Sequence, residues 1–283
     1  MDAIAGIDHV IVGVRDLEAA RETWRRLGFT LSPRGRHIEQ PTGNYCVMFA
    51  SDYIELLGLV EAGDAAHRLG NFLAWREGLM GLAFAPAGSA EEARTALAAQ
   101  GLHPSEPRLL GRAIELPEGA VMPRFSLVSL PAEETPGLDC FVCSHLTPEL
   151  MRRPQWLEHP NGAVGIKRVH VLVDGTADLL AAYDQLFGIA QVTTTDAVAS
   201  VHVWRHHLVF STPDDFQTMH PGVEIERGFP PSGIAALELA VKECAAAAAC
   251  LARQHVAFDE LPGGGLVVPA REANGAILLL SEG

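Results

Sequence analysis

The stretch IDHVIVGV at residues 7–14 begins a pattern that recurs through the whole chain. Its apolar side chains alternate in the manner of a half-buried strand. A helical segment follows, with Asp16 at the N-cap position and Gly28 just beyond the last turn. Strand-like runs at 29–38, 45–49 and 53–60 complete a unit of the order βαβββ.

The same order of elements begins again at three later points in the chain, near Leu79, Ile166 and Ile234. Ser89 and Glu92 form a capping box before the second helix, and the later helices are predicted at about 178–187 and 243–253. A period of roughly seventy to eighty residues is a repeat signal. We therefore predict an α+β fold of four βαβββ modules, paired into two cup-shaped half-barrel domains.

A segment rich in proline, glycine and polar residues separates the second unit from the third. Few contacts cross such segments, so domain boundaries usually fall there. We place the N-terminal domain at 1–145, the connector at 146–164 and the C-terminal domain at 165–283.

The composition is that of a globular protein, with 48% hydrophobic residues and a formal net charge of -14. The negative charge argues against binding to nucleic acid or to an anionic membrane surface. The first residues read as a strand and not as a signal peptide, and the five cysteines show no disulfide spacing. We expect a cytoplasmic protein with a small-molecule partner, either a monomer or a homodimer.

Polar residues on the inner face of a cup are costly unless they bind something. Alternation places His9 on one face with Ile7 and Ile11. Glu55 is a lone carboxylate in the apolar run 53–59, and His145 ends the strand-like run 141–145. We predict that His9, Glu55 and His145 bind one divalent metal ion, whether Fe, Mn, Zn, Ni or Co. The alternative is that the histidines are hydrogen-bonded core residues and that Glu55 pairs with an arginine or lysine.

Four further residues are candidates for contact with a substrate. His37 lies on the second strand-like run and is a candidate further ligand or proton acceptor. Asn44 and Tyr45 follow a Pro-Thr-Gly turn. Cys143 shares a strand face with His145. We predict His37, Asn44, Tyr45 and Cys143 as substrate-binding residues.

Several of these stretches resemble the glyoxalase-like proteins of the vicinal-oxygen-chelate superfamily. The resemblance is carried by IDHV at 7–10, Asp16-Leu17, the helix exit at 27–29 and YIELL at 53–57, and the connector at 145–162 is similar to that of two-domain members. It implies a divalent metal held by a histidine on a first strand and a glutamate on a last strand. His9 and Glu55 match those positions, and the substrate is expected to chelate the metal through adjacent oxygens.

The chain also departs from that pattern. Gly81 replaces the histidine in the second unit, and Arg168 and Ala236 stand at the corresponding positions of the second half, so we interpret the C-terminal site as degraded. Ring-cleaving extradiol dioxygenases of the superfamily work in their C-terminal pair of modules, so this departure puts that assignment in doubt.

The favoured hypothesis is a glyoxalase-type isomerase or lyase that stabilises an enolate or oxyanion, with Glu55 or His37 transferring the proton. One alternative is an Fe(II)- or Mn(II)-dependent extradiol dioxygenase. The other alternative is a metal-free protein that only binds a small molecule.

Overall fold

The structure is a computed structural model, and it describes residues 3–38, 40–61, 68–177, 179–195 and 197–283. Its first half contains the first two modules. The first module consists of β1 (Ile4–Gly13), α1 (Leu17–Arg26), β2 (Gly35–His37), β3 (Thr42–Met48) and β4 (Tyr53–Leu59). Helix α2 (Arg68–Trp75) leads to the second module, which consists of β5 (Gly78–Pro86), α3 (Ala90–Ala99), β6 (Arg108–Leu116), β7 (Gly119–Val121), β8 (Arg124–Ser129) and β9 (Cys140–His145).

The second half repeats this order. The third module consists of β10 (Ala163–Leu172), α4 (Leu180–Phe187), β11 (Val192–Thr195), β12 (Val198–Val203) and β13 (His206–Ser211). Helix α5 (Pro213–Met219) leads to the fourth module, which consists of β14 (Gly233–Val241), α6 (Cys244–Arg253), β15 (Asp259–Glu260), β16 (Leu266–Val268) and β17 (Ile277–Glu282). The predicted α+β fold of four βαβββ modules is confirmed.

The helix starts follow the capping chemistry of the sequence. The side chain of Asp16 accepts hydrogen bonds from two backbone N–H groups of α1, and Ser89 forms the predicted capping box with Glu92. Helix α4 of the third module begins at Leu180. Asp178, where this helix was predicted to begin, lies outside the described residues.

Two expectations about the elements were incomplete. The strand predicted at 29–38 is wrong in extent, since only Gly35–His37 forms a strand. Pro33 has no N–H to donate to a strand ladder, which is consistent with irregular backbone before Gly35. Helices α2 and α5, which connect paired modules, were not predicted.

Pairing between strands is the same in all four modules. The first strand of a module runs parallel to its last strand, as in β1 with β4 and β10 with β13. Paired modules meet through their antiparallel first strands, β1 with β5 and β10 with β14. The first sheet also closes into a barrel because β2 pairs with β6, whereas the second sheet is an open cup with β11 and β15 at its edges.

One hydrophobic core runs through both halves of the chain. It contains residues of both sheets together with the buried faces of α1, α3, α4 and α6. Two smaller apolar clusters lie separately, one for each half. The sheets divide between His145 and Ala163. Because the main core spans both, the division into two independent domains stays a prediction.

Membrane insertion through a helix finds no support in the described part of the chain. None of the helices there is both long enough and apolar enough to cross a bilayer.

Candidate metal centre

The closed first sheet encloses a cavity of about 350 Å³. Residues on alternate positions of its strands point into the barrel, because successive side chains of a strand face opposite sides. The polar side chains among the lining are His9, His37, Gln40, Thr42, Tyr53, Glu55, Arg68, Arg108, Arg112, Ser129, Asp139, Cys140 and Cys143. The barrel interior therefore contains many polar side chains, which are costly to bury in a cavity that has no ligand.

A bulge in β1 brings two polar side chains of the same strand together. The pairing with β5 shifts between Ile7 and His9, so Ile7 belongs to the main core while His9 and Ile11 line the cavity. The expectation that Ile7 and His9 share a face was therefore wrong. Asp8, at the bulge, accepts a hydrogen bond from His9 Nδ1 over 2.8 Å.

The negative charge of Asp8 orients the ring of His9. Burial alone would raise the pKa of Asp8, but His145 and His9 outweigh burial and hold it well below its usual value. An ionised carboxylate only accepts hydrogen bonds, so His9 donates to Asp8 through Nδ1. His9 Nε2 then faces Glu55, whose Oε2 lies 3.6 Å away.

Glu55 lies between the two histidines that line the cavity. His37 Nε2 is 3.8 Å from Glu55 Oε1, while His9 approaches the other oxygen, and Asn44 donates a hydrogen bond to Oε1. Burial alone raises the pKa of Glu55, but His9, His37 and Arg112 lower it, so the net pKa is below the usual value. Glu55 is therefore ionised at neutral pH although it is buried.

His37 is held neutral in the same site. Its Nδ1 is hydrogen-bonded to the hydroxyl of Thr42 over 2.8 Å. Burial lowers the pKa of His37 to about 4, against the opposing charge of Glu55. At neutral pH its ring carries a lone pair, which a metal ligand requires, but it is a weak proton acceptor.

Arg112 supplies a buried positive charge next to this carboxylate. It is 2% exposed, and its guanidinium contacts Cys46 Sγ, Met151 Sδ and, at 3.9 Å, Glu55 Oε1. Its Nε has no hydrogen-bond partner among the described residues. The alternative expectation that an arginine accompanies Glu55 thus has a candidate, although 3.9 Å is too long for a hydrogen bond.

His145 lies beside Asp8. Its Nε2 donates to Asp8 Oδ2 over 3.0 Å, the oxygen that also bonds His9. Asp8, Cys143 and His145 bring possible ligand atoms within 4.8 Å of one another. Burial raises the pKa of the Cys143 thiol well above its usual value, so it stays protonated without a metal. These contacts make His145 a partner of Asp8 rather than a direct neighbour of Glu55.

The two adjacent substrate-binding candidates on β3 lie on opposite faces. Asn44 points into the barrel, where it bonds Glu55. Tyr45 points outward, and its hydroxyl donates to the carboxylate of Glu18 on α1. Burial and this bond raise the pKa of Tyr45 to about 12. Tyr45 does not line the cavity, because neighbouring residues of a regular strand face opposite sides, and its contact with a substrate stays a prediction.

The separations of His9 and of His37 from Glu55 are each compatible with a shared cation, whereas Asp8, Cys143 and His145 form the one group in the described residues whose three possible ligand atoms all lie within 4.8 Å of one another. Two ligand atoms that each lie at about 2.0–2.2 Å from one ion are at most about 4.4 Å apart. The separations of 3.6 Å and 3.8 Å from Glu55 satisfy that limit and exceed a normal hydrogen bond. The second nitrogen of each ring is bonded to a side-chain oxygen, the outer contact that metal-binding histidines usually make.

Sequence reasoning missed Asp8, Thr42 and Arg112. Strict alternation assigned Asp8 to the outer face, and only the bulge brings it beside His9. Arg112 had a signal in the sequence, because it is a lone charge between Leu110 and Ile114 on the inward face of β6.

Comparison with known proteins agrees with this architecture. The Glyoxalase-like domain family matches residues 7–187, more than half of the chain. The chain therefore belongs to the glyoxalase-like domain family, and the predicted resemblance to glyoxalase-like proteins is confirmed. A search of curated proteins finds no match to this sequence.

Solved structures with the same fold include proteins of different activity. A hypothetical protein from Staphylococcus aureus has a TM-score of 0.67 at 12% identity, over 98% of each chain. A mutant of 4-hydroxymandelate synthase from Streptomyces coelicolor has a TM-score of 0.55 at 11% identity, over 98% of this chain and 92% of that one. A xylose isomerase-like TIM barrel/4-hydroxyphenylpyruvate dioxygenase fusion protein has a TM-score of 0.56 at 14% identity, over 99% of this chain and 49% of that one. At these identities the likeness shows the fold alone.

Proposed function

We propose that the chain is a metal-dependent enzyme that acts on a small oxygenated substrate inside the N-terminal barrel, as an isomerase or lyase of the glyoxalase type. One observation carries the proposal. The Nε2 atoms of His9 and His37 approach the two different oxygens of a buried, ionised Glu55, while Asp8 and Thr42 hold the opposite ring nitrogens.

The residues that would hold the cation are His9, His37 and Glu55. Their chemistry, two imidazoles and one carboxylate, suits Fe, Mn, Co, Ni or Zn. When bound, such a cation supplies Lewis acidity, which stabilises negative charge that develops on a substrate oxygen. This proposal keeps His9 and Glu55 from the predicted ligand set and uses His37 in place of His145.

The protein's own residues would prepare the site. Asp8 keeps the proton of His9 on Nδ1, and the charge of Arg112 helps to keep Glu55 ionised. Either Glu55 or His37 would accept a proton from the substrate, because both side chains are unprotonated at neutral pH and lie beside each other in the cavity. Aromatic rings of Tyr53, Phe125 and Phe141 line the same cavity and limit the access of water.

A second candidate is an Fe(II)-dependent dioxygenase. Two histidines and one carboxylate with open positions are the ligand set of non-haem Fe(II) oxygenases. The composition of the His9, His37 and Glu55 set supports this candidate. The identity of the bound metal and the consumption of oxygen distinguish it from the isomerase or lyase.

The test measures metal bound to protein purified without added metal and then equilibrated anaerobically with Zn²⁺, Mn²⁺ or Fe²⁺. We expect one equivalent in the wild type and none in His9→Gln or His37→Gln. His145→Gln should keep its equivalent at saturation, because His145 contacts only Asp8 in this network. His103→Gln is the matched control, since His103 is exposed and outside the barrel.

Each other outcome assigns the site differently. Loss of the metal in His145→Gln, with retention in His37→Gln, restores the ligand set His9, Glu55 and His145. Absence of metal from the wild type under all three conditions overturns the proposal and leaves a protein that only binds a small molecule. Binding of iron with uptake of oxygen favours the dioxygenase, and binding of zinc favours the isomerase or lyase.

The setting of this proposal is a cytoplasmic protein with a small-molecule substrate, as a monomer or homodimer, without nucleic-acid or membrane partners. The five cysteines, all of them in the described residues, are unpaired and buried, which supports a reducing compartment.

A further inference from the structure

The cavity of the N-terminal barrel carries more positive than negative side chains. Arg68, Arg108 and Arg112 line it, against the carboxylates of Glu55 and Asp139. The chain as a whole has a net charge of -14. A cavity lined by positive charge in an acidic protein concentrates anions, because its low-dielectric walls focus the local field.

Two of these arginines belong to one inward-facing row of β6. Arg108, Leu110 and Arg112 occupy alternate positions of the strand and all line the cavity. Arg108 is exposed, whereas Arg112 is buried beside Glu55. Four residues of strand span about 13 Å, so the row leads from the mouth of the cavity to the candidate metal centre.

The surface between the two arginines is apolar. Leu110, Phe125, Leu127 and Phe141 line that part of the barrel. A ligand that follows the row from Arg108 to Glu55 would therefore bury a hydrocarbon body between its two polar ends.

At the mouth, Arg108 is available to an anion. Arg68 is paired with Asp139, whereas Arg108 has no ion-pair or hydrogen-bond partner for its side chain among the described residues. A single planar guanidinium matches a carboxylate in a bidentate manner. A phosphate, with two negative charges, would call for a second unpaired cation, and Arg68 is already neutralised.

We propose that the ligand of this cavity is a small carboxylic acid with an apolar body, whose carboxylate pairs with Arg108 at the mouth. Its other end reaches Glu55, and only the reaction at that end rests on the proposed function. Arg108 is then a residue that determines specificity through the acid group and takes no part in bond making.

The test is calorimetric titration of the full chain, treated with chelator, with octanoate and with 1-octanol as the matched uncharged probe. We expect octanoate to bind at least about tenfold more tightly than 1-octanol, since a charge-assisted hydrogen bond is stronger than a neutral one. Arg108→Gln should lower the affinity for octanoate about tenfold and leave the affinity for 1-octanol unchanged. Arg124→Gln is the matched control, because Arg124 is also exposed on the barrel but does not line the cavity.

Three results would overturn the inference: equal affinities for the acid and the alcohol, equal weakening by both arginine variants, or no binding of octanoate. The titration needs no metal, so its failure is separable from that of the proposed function. If the wild type binds one metal equivalent but does not prefer octanoate to 1-octanol, the proposed enzyme function stands and the proposed carboxylic acid ligand is overturned. If the protein prefers octanoate but binds no metal, the carboxylic acid ligand stands and the proposed enzyme function is overturned.

Discussion

The two cups of this protein have the same strand order but different interiors. In the N-terminal barrel the residues around Glu55 leave a cavity of about 350 Å³ with polar walls. In the C-terminal cup, Phe216 of α5 and Val223 pack against Leu172 and Ala235, forming an apolar cluster. The same architecture therefore holds a candidate site in one half and a filled core in the other.

The charged residues differ in the same sense. Arg168 takes the place of His9 in the register of the paired first strands, and its guanidinium bonds both oxygens of Glu238, at 2.7 and 2.8 Å. Ser281 also donates to Glu238. His170 packs edge-on against the rings of Phe216 and His220. Glu238 of the C-terminal cup is thus paired with Arg168, whereas Glu55 has no arginine or lysine within hydrogen-bonding distance.

The two connecting helices contribute different side chains to their cups. Both α2 and α5 join paired modules at equivalent points of the repeat. Phe216 of α5 is completely buried in the C-terminal cluster, while Leu69 of α2 lines the N-terminal cavity. The buried ring of Phe216 therefore occupies space inside the C-terminal cup, whereas Leu69 borders the cavity of the N-terminal barrel.

The largest expected effect tests that difference directly. Phe216→Ala should lower the free energy of unfolding by about 3–5 kcal/mol, because removal of a fully buried ring leaves a cavity. Leu69→Ala should cost less, about 2 kcal/mol, because its side chain already borders the cavity. Denaturant titration of both variants measures the two costs, and equal costs would show that α5 does not fill its cup more tightly than α2.

A smaller effect concerns acid stability of the N-terminal barrel. His37 has a pKa of about 4 in the folded protein, below its unfolded value of 6.5, so the unfolded state binds the proton first. Stability should therefore fall as the pH drops from about 6.5 to about 4, by up to about 3 kcal/mol from this residue.

The comparison variants for this effect are His37→Gln and His103→Gln. The free energy of unfolding, followed from pH 7 to pH 4, should decline less steeply in His37→Gln than in the wild type. The exposed His103 should leave the slope nearly unchanged when it is replaced. A wild-type slope in His37→Gln would mean that this ring is not held neutral by burial.

The smallest expected effect concerns the contact that orients His9. Asp8→Asn keeps the size of the side chain but removes its charge, and loss of such an outer contact typically costs about 10- to 100-fold in metal affinity. The N-terminal barrel should therefore retain one equivalent at saturation with a weaker dissociation constant. Glu238→Gln in the C-terminal cup is the matched variant and should leave that constant unchanged.

The measurement is competition with a chelator of known affinity. An Asp8→Asn variant that binds metal as tightly as the wild type would show that Asp8 supports the barrel and not the ligand. Weaker metal binding by Glu238→Gln would place the metal in the C-terminal cup and contradict the difference between the two cups.

Much of the architecture could be predicted from local signals. The order of elements, the caps at Asp16 and Ser89, and the four modules follow from alternation, helical spacing and the repeat. His9 and Glu55 stood out as polar residues in apolar strands, and the structure brings them within 3.6 Å of each other. Each of these signals lies within a few residues of sequence, where backbone geometry is almost independent of the rest of the fold.

The tertiary structure alone decided which neighbours complete the site. A one-residue bulge moved Asp8 beside His9, strand alternation turned Tyr45 outward, and His145 met Asp8 instead of Glu55. The pairing of β2 with β6 closed the barrel and placed His37 opposite Arg112, so that both side chains lie within 4 Å of the same oxygen of Glu55, at 3.8 and 3.9 Å. Sequence determined the modules because their signals are local, whereas the site depends on register and closure, which are set only when separate modules pack together.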